Sequence, residues 1–135
     1  MLIRKAKVDD AKHCFELFTS DKEQYWEVED FEKSATNDDV IFFVAERDSK
    51  IIGYIIGFIV PTKRAEATIH ETRVHESERQ KGIGTKLVDA FCEEAFKMGA
   101  KIVLIEIAPE DLKFYGDACG FKEVNKWIEV AKKKD

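Results

Sequence analysis

At 135 residues with 44% hydrophobic content, the chain has the length and apolar fraction of one domain built around one core. Its longest apolar run, "IIGYIIGFIV" (Ile51–Val60), is far short of the ~20 residues of a membrane helix, and a net charge of −5 without a basic, aromatic-laced face argues against nucleic acid. Three scattered cysteines with no C-x-x-C pair and an N-terminal stretch without an apolar signal core argue against a disulfide framework or a metal site, and lead us to expect a reduced, cytoplasmic setting.

"LIRKAK" opens the chain as a strand over residues 2–7. Asp9 or Asp10 then caps a helix running to about Ser20, with Ala11, Cys14, Phe15 and Phe18 on one stripe. "TSDKEQYWE" breaks that periodicity as a loop, and a second helix over 27–36 turns Val28, Phe31 and Ala35 inward. Two apolar strands around Asp48-Ser49-Lys50 make the clearest hairpin. "AEATIHETRV" (65–74) is a fourth strand, with Thr68, His70, Thr72 and Val74 on one face. Ile83, Leu87, Ala90, Phe91, Ala95 and Met98 recur at helical spacing until Gly99 ends the helix. "KIVLIEI" has the continuous apolar character of a strand covered on both faces. Pro109 opens a short helix over 110–118, Gly120 stops it, and "FKEVNKWIEV" closes the chain as a strand. The order β-α-α-β-β-β-α-β-α-β describes an α/β fold on a mixed sheet, one domain over residues 1–135.

The turn "RQKGIGTKL" (79–87) concentrates two glycines and three cations where a helix begins. A helix amino terminus presents four unpaired N–H groups and the positive end of its dipole. Glycines at 82 and 84 let a bulky anion approach the main chain, and Arg79 and Lys81 add charge at the rim. Spacing alone also accommodates a plain glycine turn with solvated cations. Leu87 stands where a third Rossmann glycine would be, and the phosphate-loop pattern is absent.

V-x-x-x-x-R-x-x-G-x-G, present as Val74, Arg79, Gly82 and Gly84, resembles motif A of the GNAT superfamily of acetyl-CoA-dependent N-acetyltransferases. "FYGDACGF" (114–121) is similar to that family's F-Y…G-F segment, and the opening "IRKAKVDDAKHCFEL" fits its first strand and helix. The resemblance implies that acetyl-CoA is the cosubstrate. Its diphosphate would be cradled by Arg79, Gln80, Lys81, Gly82, Ile83 and Gly84, with the Thr85 hydroxyl as a further donor. It implies main-chain pairing of the pantetheine arm with Thr72, Arg73 and Val74, the N–H of Val74 polarising the thioester carbonyl. Many members are dimers, but no edge segment of the sequence argues for a homodimer here.

Acetyl transfer needs a neutral amine, a stabilised carbonyl oxygen and a proton for the departing thiolate. Tyr115 matches the family tyrosine beside the coenzyme A sulfur, which makes it the general acid. The base is open among His70 on the face of Val74, Glu71 if a bulge turns it inward, and Glu106 in "LIEIAP". The resemblance implies an amine-bearing small molecule or peptide as acceptor, in a pocket bounded by the loop between the first two helices and by the last strand. Glu23, Tyr25, Trp26 and Glu27 suit a cation there, although Trp26 serves equally as a helix staple. Many members carry an asparagine seven residues before the tyrosine; Ala108 stands there instead. That departure keeps open a catalytically silent acyl-CoA-binding module on the same fold.

Overall fold

The computed structural model describes residues 1–18, 26–60, 65–126 and 128–134. Five strands, β1 (Leu2–Lys5), β2 (Val40–Arg47), β3 (Lys50–Val60), β4 (Glu66–Val74) and β5 (Ile102–Ile105), form one sheet in sequential order. The first three junctions are antiparallel and β4–β5 is parallel, which gives the mixed sheet expected of the element order. The β2–β3 hairpin closes on two residues, Asp48 and Ser49, with φ of 51° and 64°. Both lie in the left-handed region that a two-residue hairpin turn needs.

Alternation along β2 and β3 divides the core. Ile41, Ala45 and Ile55 face α3 (Ile83–Lys97), meeting Leu87, Val88 and Phe91 in one buried cluster. Phe42, Val44, Tyr54 and Ile56 face the other way, onto Cys14 and Phe18 of α1 (Ala11–Phe18) and Phe31 of α2 (Val28–Thr36). Gly57 allows α3 to approach: a Cβ there would lie 2.1 Å from the Thr68 carbonyl and 2.7 Å from the Phe91 ring. Asp10, the one buried charged residue among those described, locks the start of α1 to β1. It accepts hydrogen bonds from Arg4 Nη1 at 2.7 Å and Nη2 at 2.9 Å, and from the Lys7 N–H at 2.7 Å.

The C-terminal third departs from expectation in three places. Every residue of β5 is only half-buried, because the strand lies at the sheet edge instead of inside it. The short helix over 110–118 resolves into a 3₁₀ turn, Pro109–Asp111, and a π turn, Phe114–Ala118. The described residues beyond Phe121 form no strand, and Val124, Ile128 and Val130 stand in solvent. Among the described residues they lie against no strand, and a segment without a ladder is not a strand.

Candidate active site

The site is organised by a bulge in β4. Glu71 pairs with Ile56 and Ile69 with Gly57, so His70 is an extra residue on β4. A one-residue insertion inverts the facing of everything after it. Ala67 and Ile69 point at α3 before the bulge; after it Thr72 and Val74 take that face, opposite Ile55 and Gly53. Glu71 and Arg73, opposite Ile56 and Tyr54, turn toward α1 and α2.

Glu71 is held there by two donors. The hydroxyl of the fully buried Tyr54 donates to Oε2 at 2.8 Å, and Arg73 Nε donates to Oε1 at 2.7 Å. The Arg73 guanidinium also lies 5.2 Å from the centroid of the Phe18 ring. Burial pushes the Glu71 carboxyl up, and the Tyr54 hydrogen bond opposes the rise. Burial is the larger effect, so the carboxylate is oriented by its two donors and its pKa stays raised. His70 is exposed and tilts against Trp26, ring centroids 5.7 Å apart. Trp26 packs in turn on Phe31 at 4.7 Å. A cleft of about 190 Å³ opens beside them, lined by Trp26, Ser34, Val40, Ile56, Phe58 and His70. Glu27 is the N-cap residue of α2, its backbone N–H donating to the Asp30 carboxylate at 2.8 Å. Glu23 and Tyr25 lie outside the described residues.

Beyond the bulge the sheet splits. β4 pairs with β5 only as far as Ile69 and Ile105, while its pairing with β3 continues to Val74. The His75 N–H donates to the Ile52 carbonyl at 2.7 Å, so Arg73 directs its main chain to β3 and the alternate residues Thr72 and Val74 direct theirs into the gap. Arg73 therefore enters the site through its side chain, not its backbone. Glu106, just past β5, is exposed, and the structure does not bring it into the Glu71 cluster.

At the mouth of the gap stands the amino terminus of α3. Its first helical hydrogen bond runs from the Lys86 N–H to the Gly82 carbonyl at 3.1 Å, and no side chain caps it, so the N–H groups of residues 82–85 point outward. Gln80 and Gly82 take φ of 64° and 79°. Gly82 is thus glycine for its backbone, with open space where a Cβ would be. Gly84 is glycine for closeness, since a Cβ there would meet the Phe114 ring at 3.3 Å. The rim cations are oriented: Arg79 Nε donates to the Val74 carbonyl at 3.2 Å, and Glu78 bridges Lys81 and Arg47. These groups fit a diphosphate. The buried Thr72 hydroxyl stands deeper in the site, beside the Tyr115 phenol.

Tyr115 closes that gap from the α3 side, its ring edge-on to Phe114 at 4.9 Å and to Phe121 at 5.8 Å. Burial pushes its phenol up, with the neighbouring Thr72 hydroxyl pulling the other way, so it stays protonated at neutral pH. Four residues separate Tyr115 from Gly120, and the π turn absorbs one more residue than an α turn of the same reach. Burial raises the Cys119 thiol, with the neighbouring Thr85 hydroxyl pulling the other way. Burial pushes the Cys92 thiol up to about 11 and raises Cys14 as well, so neither is a thiolate nucleophile at neutral pH.

Residues 9–121 match the family model described as the acetyltransferase (GNAT) family. The chain belongs to the GNAT acetyltransferase family. An uncharacterized N-acetyltransferase of Methanocaldococcus jannaschii is 32% identical over 97% of this chain and 66% of its own length, so the chain spans about two thirds of that relative. The aminoglycoside N-acetyltransferase AAC(6')-Iy in complex with CoA superposes with a TM-score of 0.85 at 21% identity, over 98% of this chain and 95% of that one. An acetyltransferase of Trypanosoma brucei gives 0.80 at 20% identity, over 97% and 99%. These two solved structures share the fold of this GNAT member.

Three contributors to the GNAT site were missed in the sequence. Tyr54 carried a signal, a lone hydroxyl within an aliphatic strand that had to find a partner. Arg47 carried none, and the F-Y…G-F segment marked Phe114 without its contact, because only folding brings the end of β2 to Glu78 and the π turn onto Gly84.

Proposed function

We propose that this GNAT-family chain is an acetyl-CoA-dependent N-acetyltransferase, acting as one domain over residues 1–135 and moving an acetyl group directly onto a primary amine. The supporting observation is the gap between β4 and β5 past Ile69 and Ile105, with an open helix amino terminus at its mouth, Glu71 on one side of β4 and Tyr115 on the other. Acetyl-CoA supplies the activated acyl group. The N–H groups of residues 82–85 with Arg79 and Lys81 hold its diphosphate, and the main chain of Thr72 and Val74 aligns the pantetheine arm. The Val74 N–H, whose own carbonyl is already engaged by Arg79, polarises the thioester carbonyl.

An alkylamine with pKa near 10 is neutral in about one molecule per thousand at pH 7. Glu71 takes the amine proton, directly or through water, with His70 at the cleft edge as the other acceptor in reach of the bulge. Tyr115 protonates the leaving thiolate. The Trp26–His70 cleft receives the body of the acceptor, a small amine or a peptide amine. A catalytically silent acyl-CoA-binding module is the competing reading, favoured by Ala108, which has no polar group to offer a pantetheine arm.

Thiol release from acetyl-CoA, followed across monoamines, polyamines, aminoglycosides and peptide amines, tests the proposal. Release with one class establishes the transferase and its acceptor. Saturable CoA binding without release against any of them selects the silent module, and absence of CoA binding overturns both.

A further inference from the structure

The cleft beside the bulge has a composition that discriminates among amines. Trp26, Val40, Ile56, Phe58 and His70 supply side-chain walls, and no Asp or Glu lines it among the described residues. The Ser34 hydroxyl, which also lines it, already donates to the Asp30 carbonyl at 2.8 Å. Tyr54, Ile56 and Phe58 project from one face of β3, and Val40 pairs directly with Phe58 on the neighbouring strand. Exposure along that row rises from 2% at Ile56 to 41% at Phe58, so the apolar core comes to the surface at the cleft. Trp26 is braced by its ring contacts with Phe31 and His70. Large apolar side chains left open in a concave site are surface for a ligand's carbon to cover. The inner end of the cleft adjoins the bulge, since Ile56 stands opposite Glu71 in the register and His70 immediately precedes it.

Resting on the acyl-transfer reading above, we propose that the acceptor is a primary monoamine carrying one compact apolar ring, and that Trp26 and Phe58 select it. The ring lies on the carbon walls and the amine reaches Glu71 at the bulge, so one molecule satisfies both ends of the site. A polyamine or aminoglycoside would set further ammonium groups against those walls with no counter-charge in the lining, which costs free energy. Size points the same way. At about 190 Å³ the cleft is smaller than the ~300–1,000 Å³ of sites for drug-sized ligands, and it suits one ring system. A larger hollow of about 370 Å³, lined by Trp26, Asp30, Lys33 and Ser34, does not supply the missing anchor. It includes no residue of β4, and Lys33 sits in it beside the single carboxylate, whose oxygen already accepts the Glu27 N–H.

Binding and turnover test this separately. With CoA bound, so that no acetyl group can move, 2-phenylethylamine, ethylamine and spermidine are titrated while the Trp26 indole N–H is followed by NMR. The expected result is a saturable shift with 2-phenylethylamine, at least about 10-fold tighter than with the other two, as burial of a phenyl group implies. With acetyl-CoA, kcat/KM measured by thiol release should follow the same order. Phe58→Ala, at an exposed position, should leave folding and CoA affinity intact and cut the preference for 2-phenylethylamine over ethylamine by about 10-fold. Phe58→Leu, which restores apolar bulk, should recover most of that preference. Faster turnover of spermidine, an aminoglycoside or a lysine-bearing peptide overturns the inference and leaves the transferase standing. Tight 2-phenylethylamine binding without thiol release from any amine does the reverse: the ligand class stands and the reaction falls. A Trp26 signal indifferent to 2-phenylethylamine, or a preference indifferent to Phe58→Ala, overturns the inference. Absence of CoA binding overturns both.

Discussion

Glu71 is the residue on which the proposed chemistry turns, and its surroundings make it testable. A base works only when deprotonated, so the rate should rise as pH climbs through its pKa; burial places that limb above the ordinary glutamate value of ~4.3. Glu71→Gln should lower kcat/KM by about 10²-fold or more, typical of a positioned base, and flatten the acid limb. An acid limb that survives the substitution moves the role to His70, Glu106 or water. Tyr54→Phe keeps the carboxylate but removes the hydroxyl that favours its ionised form, so the limb should shift to higher pH. A residue that merely filled space would leave it where it was. Tyr115→Phe should reduce kcat by roughly 10–10³-fold with CoA affinity preserved in calorimetric titration, because the ring packing survives and only the proton donor goes. Equal turnover in the two proteins removes Tyr115 from the mechanism.

At the scale of elements, α3 and the bulged β4 do different work. Gly84 lies in the first turn of α3, where an aspartate complements the helix dipole by about 0.3–1 kcal/mol but places a carboxylate in the proposed diphosphate cradle. Gly84→Asp should therefore weaken CoA binding by about 10²-fold or more, with a modest fall in melting temperature as the exposed Phe114 ring yields to the new Cβ. Unaltered affinity refutes the cradle. Gly57 works through packing at the bulge. Gly57→Ala drives a methyl into the Thr68 carbonyl and the Phe91 ring, and overpacking of that kind costs about 1–3 kcal/mol, visible as a melting point several degrees lower. The bulge was foreseeable only as a possibility for Glu71, since no spacing in "ATIHETRV" distinguishes a regular strand from a bulged one. The pairing with β3 reveals it: between Ile56 and Gly57 the register shifts by one residue.

Across the whole molecule, the Arg4–Asp10 pair ties the first strand to the layer of helices on the acceptor face. The Arg4 guanidinium holds the Asp10 carboxyl below its ordinary value. A lowered folded pKa means that the stabilisation is complete above the unfolded value of ~3.9 and is lost as pH falls from there through the folded value. Asp10→Asn should cost about 1–3 kcal/mol at neutral pH, as for hydrogen bonds to charged groups. It should also make unfolding by denaturant less dependent on pH below ~4 than in the parent. A parallel fall in both proteins assigns acid sensitivity to other carboxylates.

What could be read from residues was whatever depends on near neighbours in the chain: the 3.6-residue stripe of α3, the alternation of β2 and β3, and the glycine spacing of the cradle with the family resemblance it carries. Helix periodicity and turn geometry are local, so they leave a local trace. The tertiary structure alone decided which face Glu71 occupies, that Tyr54 and Arg73 hold it, that Arg47 reaches Glu78, and that β5 is an edge instead of an interior strand. Those outcomes depend on which strand lies alongside which and in what register. That is settled by burial summed over distant segments, a quantity that no short stretch of sequence contains.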